Sequence, residues 1–138
     1  MWEEILAEVH AVHRADAERQ RRLAKRTGMT LSQWRVLREA IHGLSVARIA
    51  RRLGLARQSV QKTADSLVES DFTRYVLNPD HARSPLLEPT ETGRSRLLEL
   101  ERRAADAGHA ELARQFEPEE LETALEVMRA IRDGLETR

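Results

Sequence analysis

The sequence contains no cysteine, which excludes disulfides, thiolate metal sites and cysteine redox sensing. Aromatic residues are scarce at 4%, yet the hydrophobic fraction of 41% supports a core and excludes a disordered tail. No apolar run approaches the ~20 residues that a membrane span requires. The N-terminus, "MWEEILAEVH", carries acids where a secretory signal would carry positive charge ahead of an apolar core. A cytoplasmic protein without membrane contact is the expectation. No nucleophile motif, phosphate-cradling glycine loop or pair of catalytic carboxylates occurs, so an enzyme is not expected, and neither is a cofactor.

Net charge is also lacking: 23 basic residues balance 23 acidic ones. That balance argues against a generic nucleic-acid coat. The distribution is uneven, however. From Ala40 to Ala64 there is no acid, while Arg48, Arg51, Arg52, Arg57 and Lys62 are all basic; from Glu111 to Arg138, eight acids face four arginines. A focused basic surface fits this pattern better than a solvated face, which would mix signs.

At 138 residues the chain is one domain's worth. Trp2, Ile5, Leu6, Val9 and Val12 recur at helical spacing, predicting a first helix from Trp2 to about Lys25. Thr27-Gly28 breaks it. In "TLSQWRVLREAI", Leu31, Trp34, Leu37 and Ile41 mark a second helix, with Thr30 as N-cap, Gln33 three residues on and Gly43 as its end. A third runs from a Ser45 cap to about Leu53, burying Val46, Ile49, Ala50 and Leu53. A fourth runs from about Ala56 to Ser70, burying Val60, Ala64, Leu67 and Val68.

The period then changes. Two extended runs, Thr73–Leu77 and Pro85–Glu88, flank the turn residues Asn78-Pro79-Asp80 and predict a small hairpin. A fifth helix is expected from a Thr90 cap to about Arg114, with Gly93 tolerated in its first turns. Pro118 can begin the last helix, whose stripe is Leu121, Ala124, Leu125, Met128, Ile131 and Leu135. Striped outer helices on so small a chain need a covering surface. A second copy would supply it, which predicts a homodimer built from the first, fifth and sixth helices; the alternative is an antiparallel helix pair within one chain.

Ala50 and Gly54 stand four apart, with Val60 six beyond the glycine. That is helix-turn-helix spacing: the small residue permits a close crossing, Gly54 takes the turn, and Val60 locks the second helix underneath. A hairpin immediately after makes it a winged helix. The second helix of the pair would enter the major groove. Its outward residues are Arg57, Gln58, Ser59, Gln61 and Lys62. Arg57 suits guanine O6 and N7 or phosphate, Gln58 and Gln61 suit adenine edges, and Ser59, Lys62 and Thr63 suit phosphate. Arg51 and Arg52 on the preceding helix suit the DNA backbone. Among the five histidines, His10 and His13 stand three apart, a spacing that could serve a metal, but no third ligand is evident and no metal is expected.

From about Thr30 to Leu98 the chain resembles the MarR family of transcriptional regulators. "MTLSQWRVLREAI", "IARRLGLARQSVQKTADSLVESD" and "NPDHARSPLLEPTETGRSRLL" stand in that family's order and spacing. The resemblance implies a single mainly α domain over residues 1–138 with a small β-hairpin wing: a winged helix-turn-helix DNA-binding lobe at 30–90 and a helical dimerisation region at 1–26 and 91–138. It implies a homodimer that binds a palindromic operator in double-stranded DNA, as a repressor released by a small-molecule effector. Arg83 matches the wing-tip arginine that enters the minor groove. The family's Asp-x-Arg pattern departs here, with His81 two before Arg83 and Asp80 one earlier; either Asp80 reaches across or the wing is looser. Pro85 removes a ladder donor and is expected to shorten the outer wing strand. Asp71 stands where the family often has glycine, in a left-handed conformation. The family's effector pocket implies His13, Trp34, Leu37 and Arg38 as lining. Two rivals remain open: a winged-helix module that binds another regulator instead of DNA, and a ligand-independent architectural DNA-binding protein.

Overall fold

The computed structural model describes residues 1–106 and 108–137. The chain forms two compact units, Met1–Arg103 and Ala104–Arg138. In the first, α1 (Trp2–Arg26) is followed by α2 (Leu31–Ala40), a two-residue β1 (Leu44–Ser45), α3 (Val46–Leu53) and α4 (Arg57–Glu69). Strands β2 (Thr73–Val76) and β3 (Leu86–Pro89) lead into α5 (Glu91–Asp106), which runs on across the division. The second unit holds α6 (His109–Ala113) and α7 (Pro118–Glu136). No described helix is long and apolar enough to cross a membrane.

Local chemistry sets several helix boundaries. Thr30 and Gln33 form a reciprocal capping box, the Thr30 Oγ1 accepting from the Gln33 amide (3.1 Å) and the Gln33 Oε1 from the Thr30 amide (2.9 Å). Ser45 caps α3 by accepting from the Arg48 amide at 3.4 Å. Gly54 ends α3 in the left-handed region (φ 64°), returning its amide to Arg51 while Leu55 donates to the Ala50 carbonyl. Pro118 opens α7, where Glu117 and Glu120 form the capping box.

The core of the first unit lies among α2, α3, α4 and the sheet. Trp34, Leu37, Ile49, Val60, Leu67, Leu87 and Leu100 are fully enclosed, and Ala24 of α1 is buried as well. α2 and α3 both pack on α4. Leu53 and Val68, expected inside, are half-buried at the margin.

Three observations depart from the sequence expectations. The wing is a three-stranded antiparallel sheet in the order β1-β3-β2, because Leu44 and Ser45 pair with Leu87 and Leu86. The strand expected to be the outer one, β3, is therefore the central strand; it begins at Leu86, immediately after Pro85, and Thr73 pairs with Pro89 and Val76 with Leu86. Finally, the fifth helix does not run through to Arg114. α5 ends at Asp106, residue 107 lies outside the described residues, and Gly108 takes a left-handed conformation (φ 99°) before α6. A glycine there supplies the conformation that ends the run.

Gly93 is a requirement where the sequence suggested mere tolerance. A Cβ on it would stand 1.9 Å from the Phe72 carbonyl oxygen. The first turn of α5 is docked onto the backbone entering β2: the Thr90 Oγ1 donates to the Asp71 carbonyl (2.6 Å), and the Thr90 amide to that of Phe72 (3.0 Å). Asp71 itself has φ 60°, the left-handed conformation expected of it.

Candidate nucleic-acid interface

α4 presents its first turns to solvent. Arg57, Gln58, Ser59 and Lys62 are exposed, while Val60, Ala64 and Leu67 fix the opposite face in the core. Ala56 gives the helix no side-chain cap, so amides of the first turn remain available to an anion. Thr63 is less exposed and donates its hydroxyl to the Ser59 carbonyl at 3.1 Å. Arg57, Gln61, Tyr75 and Arg83 line one cleft of about 140 Å³ between α4 and the wing, together with Ser45 and Pro85. The structure thus brings Arg57 of α4 and Arg83 of the wing to a common opening.

Arg83 is exposed at the wing tip. Among the described residues it forms no ion pair with Asp80, whose amide is instead held by the Asn78 Oδ1 (3.1 Å). Asn78 organises the tip: its Nδ2 donates to the Ser84 carbonyl (2.9 Å), and its own carbonyl accepts from the His81 amide (3.3 Å). The turn is therefore ordered by an asparagine side chain, and the Arg83 guanidinium is left to project without an orienting carboxylate.

The two α3 arginines differ. Arg51 is exposed, whereas the Arg52 Nε donates to the Glu39 Oε2 at 2.5 Å, tying α3 to α2. A guanidinium engaged by a carboxylate offers less to phosphate. Arg51→Ala is expected to weaken binding to every duplex alike and to lower the salt slope by ~0.9, the share of one phosphate contact. Arg52→Ala should change the slope less; equal slopes in a salt titration of both variants would refute the division.

Gln61 is less open than the sequence suggests. Its Nε2 donates to the Asp65 Oδ1 (3.0 Å) and to the Tyr75 Oη (2.8 Å), and Tyr75 in turn donates to the same Asp65 oxygen at 2.6 Å. Burial holds the Tyr75 hydroxyl protonated far above the usual phenol range, and the hydrogen bond and negative charge of Asp65 reinforce this. Bidentate pairing with an adenine edge needs a donor and an acceptor, and here the donors are engaged. This linkage was invisible in the sequence, because Tyr75 reaches Gln61 only once the wing folds back on α4.

The four residues suggested as an effector lining differ in exposure. Trp34 and Leu37 are 1% and 0% exposed. Arg38 is exposed, stacks over the Trp34 ring at 5.1 Å and pairs with Glu101 at 2.8 Å; His13 is exposed on α1. Trp34 buries its indole Nε1 without an acceptor among the described residues. Among those residues, no group of three or more His, Asp or Glu side chains could hold a metal.

Comparison with known proteins agrees with this geometry. The sequence model of the MarR family matches residues 27–84. An uncharacterized protein of Mycobacterium tuberculosis is 42% identical over 83 residues, a match that covers 59% of this chain and 58% of the relative. Among solved structures, MarR of Staphylococcus aureus in complex with salicylate and kanamycin superposes with a TM-score of 0.87 at 16% identity, covering 99% of this chain and 93% of the other. CouR of Rhodococcus jostii bound to p-coumaroyl-CoA superposes with a TM-score of 0.78 at 21% identity, covering 92% and 90%. Residues 27–84, the winged helix-turn-helix, thus match the MarR family, and the chain carries the fold of solved MarR-family regulators.

Proposed function

We propose that the protein is a sequence-specific DNA-binding repressor that occupies a palindromic operator as a homodimer and is released by a small-molecule effector. The observation that carries the reading is the acid-free outer face at the start of α4, where Arg57, Gln58, Ser59 and Lys62 stand exposed beside a cleft shared with Arg83. Two copies related by a two-fold axis would set two such helices into major grooves about 10 base pairs apart. An effector is supported by the ligands named for the solved relatives. Of the lining residues that the resemblance implies, His13 and Arg38 stand exposed to such a ligand.

Selection from a randomised duplex pool tests the DNA reading directly. The wild-type chain should return a two-fold symmetric site, with affinity falling steeply as salt rises. Arg57→Ala should relax one base position in each half-site and reduce discrimination there by roughly ten- to a hundredfold. Unchanged affinities of this variant for the selected site and for random duplex would remove α4 as the reading helix. A wild-type chain indifferent to duplex DNA would favour a module that binds another regulator.

A further inference from the structure

The Gln61–Asp65–Tyr75 cluster determines more than local order. The amide orientation of Gln61 is dictated by its neighbours. Ionised Asp65 can only accept hydrogen bonds, so the atom facing its Oδ1 must be the nitrogen. The Tyr75 hydroxyl spends its one proton on that carboxylate and can only accept from Gln61. Both Nε2 hydrogens are then committed, and Oε1, which has no partner among the described residues, is the one amide atom left. Gln61 follows Arg57 by one helical turn and lines the same open cleft.

We propose that Asp65 and Tyr75 are positioning residues that lock Gln61 as a hydrogen-bond acceptor, so that it reads an exocyclic amino group. This rests on the DNA-binding reading and specifies part of it. In the major groove adenine offers its N6 amino group and cytosine its N4 amino group, while guanine and thymine offer only acceptors or a methyl. At the position read by Gln61 the protein accepts adenine or cytosine on one strand and rejects guanine and thymine. An unrestrained glutamine would choose adenine through N6 and N7 together. The lock also ties base choice to the wing, since Tyr75 belongs to β2 and Asp65 to α4.

The experiment is the duplex selection repeated on the full chain with Gln61→Ala, Asp65→Ala and Tyr75→Phe. Asp65 is exposed, and Tyr75→Phe keeps its ring, so neither change threatens the fold. Gln61→Ala identifies the position by relaxing it. There the wild type should take adenine or cytosine, and both other variants should lower the preference over guanine and thymine by about tenfold. Other positions, random-duplex affinity and salt slope should not move, which separates positioning from a general loss of structure. A wild-type preference for adenine alone, or an Asp65→Ala variant with the wild-type preference, overturns the inference.

Tyr75 is the single tyrosine of the chain, so its absorbance titration reports the lock without DNA. The wild-type hydroxyl should stay protonated through the ordinary phenol range near ~10, and Asp65→Ala should bring its titration down towards that range. An unchanged titration in Asp65→Ala shows that the hydrogen bond is not made, and defeats the proposal independently of any duplex. A wild-type chain that selects no sequence defeats the DNA reading itself, while the titration still decides whether the lock exists.

Discussion

Gly93→Ala is expected to destabilise the fold by about 3 kcal/mol, the upper part of the range for overpacking a filled site. The sign is not obvious, because glycine inside a helix is unfavourable relative to alanine by roughly 0.5–1 kcal/mol. Gly93 lies in α5 with ordinary helical φ, and propensity alone would recommend the change. The close approach decides otherwise. A methyl group at this position meets the Phe72 carbonyl oxygen at 1.9 Å and its carbon at 2.8 Å. Both are backbone atoms, so no rotamer change relieves the contact. Relief requires α5 to lift from the chain entering β2, which also strains the Thr90 bonds to Asp71 and Phe72. For a chain of this size the loss corresponds to a fall in Tm of about 10 °C. Gly134→Ala in α7 is the matched control, since its methyl meets nothing within 4 Å. It should be neutral or slightly stabilising. Thermal melts in which Gly93→Ala matched Gly134→Ala would refute the packing argument.

That contrast shows where the sequence is legible and where it stops. Capping at Thr30 and Ser45, the turn at Gly54 and the proline start of α7 all depend on residues within a few positions of one another, and all were readable. So was the inward face of α4, because a helical stripe is a local periodicity. β1 was not readable: two residues have no period, and Leu44 becomes a strand only by pairing with Leu87. Gly93 reads as an ordinary weak helix residue until Phe72, in another element, is brought against it. The break at Gly108 gave no signal, since an isolated glycine in a helical pattern is usually tolerated. Within the candidate site, pattern put Arg57 on the outer face of α4 and the family resemblance put Arg83 at the wing tip, where both are exposed, yet Gln61 and Arg52 were assigned to DNA without their partners. Glu39 and Tyr75 acquire those roles only through tertiary folding. Exposed side chains on a regular face can be inferred from spacing, whereas those held by distant polar groups cannot.

The second large effect is expected at α7. None of its residues is buried in the single chain, although Leu121, Leu125 and Met128 are 42%, 49% and 45% exposed and Leu135 is 60% exposed. Their spacing forms one apolar stripe on a helix that would otherwise waste it. The start of α1 is similar: Trp2 and Val12 are exposed, and Ile5, Leu6 and Val9 are only half-buried. A second copy would cover such surfaces, as proposed above, and would also join two reading helices. Leu125→Glu would place an unpaired carboxylate in that interface, at a cost of several kcal/mol. The expected result is a monomer in sedimentation with the winged-helix lobe still folded. Joining two half-sites raises avidity by roughly 10²–10⁴, so operator affinity should fall by about that factor. Affinity for a single half-site should be nearly unchanged, because α4 and the wing are untouched. The pairing of the two measurements is what discriminates. Loss of both half-site and operator binding indicates misfolding, and a Leu125→Glu protein that sediments and binds as the wild type does would show that α7 is not the interface.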